Sequence, residues 1–377
     1  MIVRSTFLFL ATALCVVAQA PTATVPYKGF SGEPYDLYPW FGQKVVFLTA
    51  TNTLDVPTMN GALAALDSAW GIYEQMTGDD PTAYSPTTLN GRDVIAVVPD
   101  AAIPGCATCS YLGFTGSEMA QTYFDVLYNG VKTNGQYDQV MFYEFGRNFW
   151  FYGLQLAKVD PFVTGFAIGN RFVSMDRVPV AGGPFGALTF PDFQRSILID
   201  LLTGYLNNPA LSWRNTLLTA TAPPNQHGWG AADLAGAMFY RIYADYGFDA
   251  YKSFWRSLAK QPAAVTADDT IRNFLAAANT ATGRNYGFLF KDTFDATPVT
   301  GPSIPSITSI NAANSGPDIA QNTCDSYSRP TFGANQHSLF RHELEFGPRI
   351  HGGADADAAW WCQRQNQQQA RLCGLLL

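Results

Sequence analysis

Of the 377 residues, 47% are hydrophobic and 14% aromatic, enough apolar surface for one large domain or two smaller ones with a packed core. Only 14% are charged and the balance is −7, a field that repels nucleic acid and anionic membrane surfaces; no basic cluster interrupts it, so a nucleic-acid partner is excluded. Glycine (33) and proline (23) are plentiful, which suits a loop-rich secreted protein.

Residues 1–20, "MIVRSTFLFLATALCVVAQA", read as a signal peptide. Arg4 supplies the positive start, "FLFLATALCVV" the apolar run, and Ala18-Gln19-Ala20 the small-residue cleavage site, so a secreted, extracellular protein is expected. No later run is long enough to cross a bilayer, and no transmembrane segment is expected. Cys15 leaves with the signal, and the five remaining cysteines are Cys106, Cys109, Cys324, Cys362 and Cys373. In "PGCATCSY" the first two sit in a loop leading into a strand; this favours a structural disulfide over a redox pair, which usually opens a helix. The odd count leaves one thiol unassigned.

Residues 21–42 read as an irregular lead-in. "QKVVFLTA" is a buried-type strand. "VPTMNGALAALDSAWGIYEQMTG" has helical periodicity, with Leu63, Leu66, Trp70 and Tyr73 on one stripe and Gly78 as its stop. "DVIAVVPD" is a second buried strand, and "SYLGFTGS" reads as a glycine-punctuated strand at a sheet edge. A helix is expected around "SEMAQTYFDVLYNGV", then a turn at Asn134-Gly135 and a further helix in "QYDQVMFYEFGRNFWFYGL". Residues 43–155 thus read as an N-terminal α/β subdomain. Residues 156–298 are patterned almost wholly as helices, with Gly247 and Gly283 as C-caps and Thr266 with Asp269 as a capping box. Residues 299–377 have no sustained pattern and read as a low-order tail or a small appended module.

The helix "FYEFGRNFW" carries the chemistry. Catalytic zinc in peptidases is commonly held by two histidines at i and i+4, with a glutamate beside the first as general base. On that template Tyr143 takes the first histidine's place, Glu144 the base's and Arg147 the second histidine's. With this helix preceded by strand, helix, strand and edge strand, and followed by a helical half containing "FYRIYADYG" and "FLFKDTF", the chain resembles the zincin metallopeptidases, specifically their gluzincin branch, over roughly residues 43–295. The resemblance implies an α+β, zincin-like fold: an N-terminal subdomain with a twisted sheet and the motif helix, a mostly helical C-terminal subdomain, and an irregular tail. It implies a catalytic role for Glu144 alone, the one family residue that matches.

Zinc is the family's cofactor, but its ligands fail here, so no cofactor and no metal site are expected. Arg147 cannot lose its proton and repels a cation; Tyr143 ligates only as a phenolate, from a pKa near 10. The family's third ligand, a glutamate roughly nineteen residues past the second histidine, falls near Phe166, and no acid lies within reach before Asp176. Glu144 and Arg147, at i and i+3, are placed to pair on one helix face. Tyr143, Arg147 and Phe166, with Tyr111 and Gly113 of the edge strand, are then the residues of a retained binding cleft. The plainer alternative is an ordinary core helix.

Elsewhere, Asp176 and Arg177 read as a surface pair, Asp200 as an acid on an apolar helix face, and His227 as a local hydrogen-bonder. Three functions stay open: a peptidase relative that has become a non-catalytic binding or scaffold protein, a hydrolase using Glu144 with an unconventional metal or none, and a glycan- or cell-surface-binding protein. The partners implied are an extracellular protein or a glycan.

Overall fold

A computed structural model describes residues 19–291. Most of the expected signal segment, the tail at 299–377, and Cys324, Cys362 and Cys373 lie outside the described residues.

The chain opens with an antiparallel pair, β1 (Val25–Lys28) and β2 (Pro34–Phe41), and β2 continues antiparallel onto β3 (Val45–Thr49). The expected irregular lead-in is therefore two strands of the main sheet. The reason is visible in "PYDLYPWF": Leu37 and Trp40 are buried, Pro34 is the first residue of the strand, and Pro39 lies beyond the stretch paired with β1.

Helix α1 (Val56–Thr77) crosses over from β3 to β5 (Arg92–Val98), and the crossover makes that pair parallel. Asp55 caps its start by accepting from Thr58 N at 2.9 Å, and Gly78, at φ 82°, ends it. A short β4 (Thr88–Leu89) pairs antiparallel with β5. Then β6 (Thr108–Ser110) and β7 (Ser117–Ala120) form an antiparallel pair, and β7 runs parallel to β5. The sheet is mixed, in the order β1-β2-β3-β5-β7-β6, so β6 is an edge. The glycine-bearing stretch Tyr111–Gly116 is the turn between β6 and β7 rather than the strand itself. Its Gly113 and Gly116 have positive φ (77° and 115°), which a strand does not allow.

Period-two alternation divides the strands between two cores. Val45, Phe47, Ile95, Val97 and Met119 face the helices, while Val46, Leu48, Val94, Ala96 and Ala120 face the other side with Tyr27, Leu37 and Ile103. Helix α2 (Gln121–Asn134) starts only after Ala120, because Ser117–Ala120 belongs to the sheet. β8 (Gln136–Tyr137), α3 (Val140–Asn148) and α4 (Gly153–Leu156) follow.

The second half is helical: α5 (Pro161–Arg177), α6 (Phe190–Arg195), a π-helical turn (Ser196–Leu201), α7 (Leu202–Asn207), α8 (Ala231–Leu258) and α9 (Ala267–Thr282). Gly247 breaks α8, and Thr266 and Asp269 form the expected capping box. β9 (Ala181–Gly182) pairs with β8 and ties the loop after α5 to the chain just before α3. Small residues let helices touch. A Cβ on Gly165 would lie 2.5 Å from Ala235 Cβ, and one on Gly169 would lie 2.8 Å from the Gly236 carbonyl, so α5 and α8 meet backbone to backbone. One apolar core runs through both halves. The architecture is α+β, with a mixed sheet and a helical C-terminal region, consistent with the zincin-like arrangement. Among the described residues no helix is long and apolar enough to cross a membrane.

Candidate functional site

Every residue of α3 is buried. Asp138 Oδ1 accepts from Val140 N at 2.7 Å and fixes the start of the helix. Phe145 and Phe149 meet the Trp70 ring edge-on, at 5.3 and 4.8 Å between centroids, and Tyr73 donates to the Phe142 carbonyl at 2.7 Å. On the side facing α5, Gly146 gives the close approach: a Cβ there would stand 2.4 Å from Ala167 Cα.

That approach brings Arg147 onto α5. Both of its terminal nitrogens donate to Thr164 Oγ1 at 3.2 Å, and one also donates to the Tyr143 hydroxyl. The guanidinium carbon lies 4.9 Å from the Tyr143 ring centroid. The expected Glu144–Arg147 pair does not form. At about 100° per residue, i+4 neighbours are better aligned than i+3 neighbours, so Arg147 turns to Tyr143. Glu144, 3% exposed, points towards the sheet edge instead. Burial pushes its carboxyl up to about 7, and the Arg147 charge and a hydrogen bond with the Ser110 side chain pull it back only in part.

Phe166 is not a cleft residue. It is fully buried against Trp150, Tyr152 and Trp255, at centroid distances of 5.4, 5.5 and 4.7 Å. The residue that faces Arg147 is Thr164, seventeen positions along rather than nineteen. The connection through α4 sets a different register from the family's count.

Tyr111 and Gly113 lie in the β6–β7 turn, which is clamped onto the end of α3. Gly113 N donates to the Arg147 carbonyl at 3.1 Å, and Asn148 Nδ2 donates to the carbonyls of Phe114 and Gly116 at 2.8 and 3.2 Å. A side chain on Gly113 would meet the Trp150 carbonyl at 3.2 Å. Tyr111 packs on Phe30 and Tyr84, with centroids 4.3 and 5.5 Å away. The structure thus gathers Tyr143, Glu144, Arg147 and Gly113 around one helix and leaves Phe166 in the core.

The sequence reading overlooked Arg171. It is 6% exposed, donates to Gln139 Oε1 at 2.8 Å, and lies 5.7, 4.6 and 4.7 Å from the ring centroids of Tyr143, Phe172 and Phe193. Its Nε has no hydrogen-bond partner among the described residues. Burial lowers its pKa to about 10, offset in part by the charge of Asp233. The signal was there in "AIGNRFV", a cation in the middle of a mostly apolar stretch of helix.

The secondary candidates move as well. Asp200 is 53% exposed and pairs with Arg195 rather than lying on an apolar face. Asp176 accepts from Gln194 and Tyr240, and Arg177 lies over Phe248, so these two do not form the expected pair. His227 N donates to Asn225 Oδ1 at 3.1 Å, a local contact as expected. Cys106 and Cys109 face each other on the far side of the sheet, in position to bond. A groove of about 710 Å³ lies on that side, lined by residues that include Tyr27, Tyr35, Asp36 and Ser85, away from α3. Among the described residues no group of three His, Cys, Asp or Glu converges as metal ligands would.

No protein family matches the chain, and no curated protein does. Among solved structures, it is similar to a functionally unknown conserved protein from Bacillus anthracis str. Ames, at 8% identity and TM-score 0.45 over 69% of this chain and 49% of that one. A mutant of such a protein from the same organism matches at 11% identity and TM-score 0.45, over 67% of this chain and 47% of the other. An M1 zinc metallopeptidase mutant from Deinococcus radiodurans matches at 12% identity and TM-score 0.37, over 74% and 54%. The chain spans about half the length of these structures, and the likeness is weak and at the level of fold alone.

Proposed function

We propose that the chain is a secreted, metallopeptidase-like protein that lacks a family-type zinc site and acts as a non-catalytic binding or scaffold protein. The observation that carries this reading is the seat of Arg147. At the position where the resemblance puts a zinc-binding histidine, a permanently charged guanidinium is bonded to the hydroxyls of Tyr143 and Thr164. Those donors do not fit a zinc ion, because a fixed cation repels it and the flanking hydroxyls are already committed. Glu144, the candidate general base, is left without a metal-bound water to act on. On this reading Cys106 and Cys109 form a structural disulfide behind the sheet edge.

A second reading has one observation in its favour. The Glu144 carboxyl, held at about 7, is poised as a general base needs to be. Metal content separates the two. Mature protein purified without chelator or affinity tag is assayed by elemental mass spectrometry, with fluorogenic peptides as substrates in parallel. Metal near background together with no cleavage supports the binding-protein reading. Near-stoichiometric zinc, or cleavage abolished by Glu144→Gln, overturns it in favour of a hydrolase.

A further inference from the structure

We propose that the seam between α3 and α5 is a binding site for a small carboxylate, recognised by Arg171 and Arg147 with Tyr143 between them. This deepens the binding-protein reading by naming the ligand chemistry, and it rests on that reading.

The two helices run antiparallel here, with Gln139 opposite Arg171 at one end and Arg147 opposite Thr164 at the other. Both guanidiniums lie against the Tyr143 ring, at 4.9 and 5.7 Å from its centroid. Each is almost fully buried (3% and 6% exposed), yet among the described residues neither forms an ion pair with a carboxylate. Burying an unpaired cation is costly, so such a site is completed most readily by an anion.

The acids nearby are committed elsewhere. Asp138 Oδ1 accepts from Val140 N at the start of α3, Asp233 Oδ2 accepts from Gly230 N at the start of α8, and Glu144 turns to Ser110. They temper the positive field without touching either guanidinium. The guanidiniums are instead held by neutral oxygens and by the rings of Tyr143, Phe172 and Phe193. The Arg171 Nε–H, buried and unpartnered, is the donor left for a ligand. Tyr143 is 8% exposed and Thr164 only partly buried, so the seam offers little room, and a carboxylate, the smallest anion that meets a guanidinium bidentately, suits it best.

The test uses the full secreted chain and three probes: acetate, an N-acetylated tripeptide with a free C-terminal carboxylate, and the same tripeptide as its C-terminal amide. Binding is followed by calorimetry and by the shift in melting temperature. The expected result is saturable binding of at least one carboxylate probe and none of the amide. Arg171→Met should weaken it tenfold or more, and Tyr143→Phe, which keeps the ring, several-fold. Tighter binding of the free tripeptide than of acetate marks a peptide C-terminus as the source; binding of acetate alone marks a free organic acid. Absence of saturable carboxylate binding to the wild-type protein overturns the proposal, as does unchanged binding by a folded Arg171→Met. If that variant does not fold, unchanged binding by Tyr143→Phe has the same force. Cleavage of the tripeptide would overturn the non-catalytic reading and leave the binding result standing, so the two fail separately.

Discussion

Arg147 and Thr164 join the motif helix to its neighbour, with both terminal nitrogens of the guanidinium on one hydroxyl at 3.2 Å. The contact lets a cation occupy a place where the resemblance expects a metal ligand, and it depends on the forked shape of arginine. Arg147→Lys should therefore lose about 1–2 kcal/mol of stability in urea unfolding, since one ammonium cannot span Tyr143 and Thr164 together. Stability equal to wild type would mean that the fork is incidental.

Restoring one histidine should not restore a peptidase. In Arg147→His the first ligand position is still Tyr143, and the side chain opposite on α5 is Thr164, a poor zinc donor. The expected outcome is background cleavage of fluorogenic peptides with or without added zinc. Zinc-dependent turnover by this single variant would show that ligands converge from residues the geometry does not suggest.

Gly146 is a close approach between α3 and α5: a methyl group on its Cα would stand 2.4 Å from Ala167 Cα. Backbone cannot yield as a flexible side chain can, so Gly146→Ala should destabilise by about 2–3 kcal/mol, despite alanine's better helix propensity. Pairing it with Ala167→Gly should recover part of the loss. An additive double variant would place the strain elsewhere.

How much of this was legible in the sequence differs by element. The stripe of Leu63, Leu66, Trp70 and Tyr73, the stop at Gly78 and the Thr266–Asp269 box were readable because each depends on local backbone and cap chemistry. β1 and β2 were missed because their short, proline-bearing pattern becomes strand only by pairing, β2 with β3 and β1 with β2. Tyr143 and Arg147 were placed together correctly by helical spacing. Thr164 and Arg171 were not found, because which residue of α5 faces α3 is set by the length and path of the connection through α4. The spacing of Glu144 and Arg147 allowed a pair, but Tyr143 and Thr164 offered Arg147 better-placed acceptors.

Asn148 should govern the order of the β6–β7 turn. Its Nδ2 bonds three turn carbonyls, those of Tyr111, Phe114 and Gly116, and Asn148→Ala leaves all three without that donor. A loss of about 2 kcal/mol is expected, with faster amide exchange at Leu112–Gly116 and little change in the Gly165–Gly236 contact between α5 and α8. Uniform acceleration across the chain would instead indicate global destabilisation.

Buried carboxyls set the response to pH. Glu118, on β7, accepts from Tyr27 Oη at 3.0 Å and Phe30 N at 2.8 Å through one oxygen, and its other oxygen has no partner among the described residues. Burial pushes it from an ordinary value near 4.5 up to about 7, as it does Glu144. A carboxyl raised in the folded state keeps its proton there after the unfolded chain has lost it, so stability falls as pH rises between about 4.5 and 7, by about 3 kcal/mol for each such group once it is fully ionised. Glu118→Gln keeps an acceptor for Tyr27 and Phe30 and removes the ionisation. It should be more stable than wild type at pH 8, near neutral in effect at pH 4, and should flatten the decline between them in urea titrations. A variant whose stability falls with pH as steeply as wild type would show that Glu118 is not one of the groups responsible.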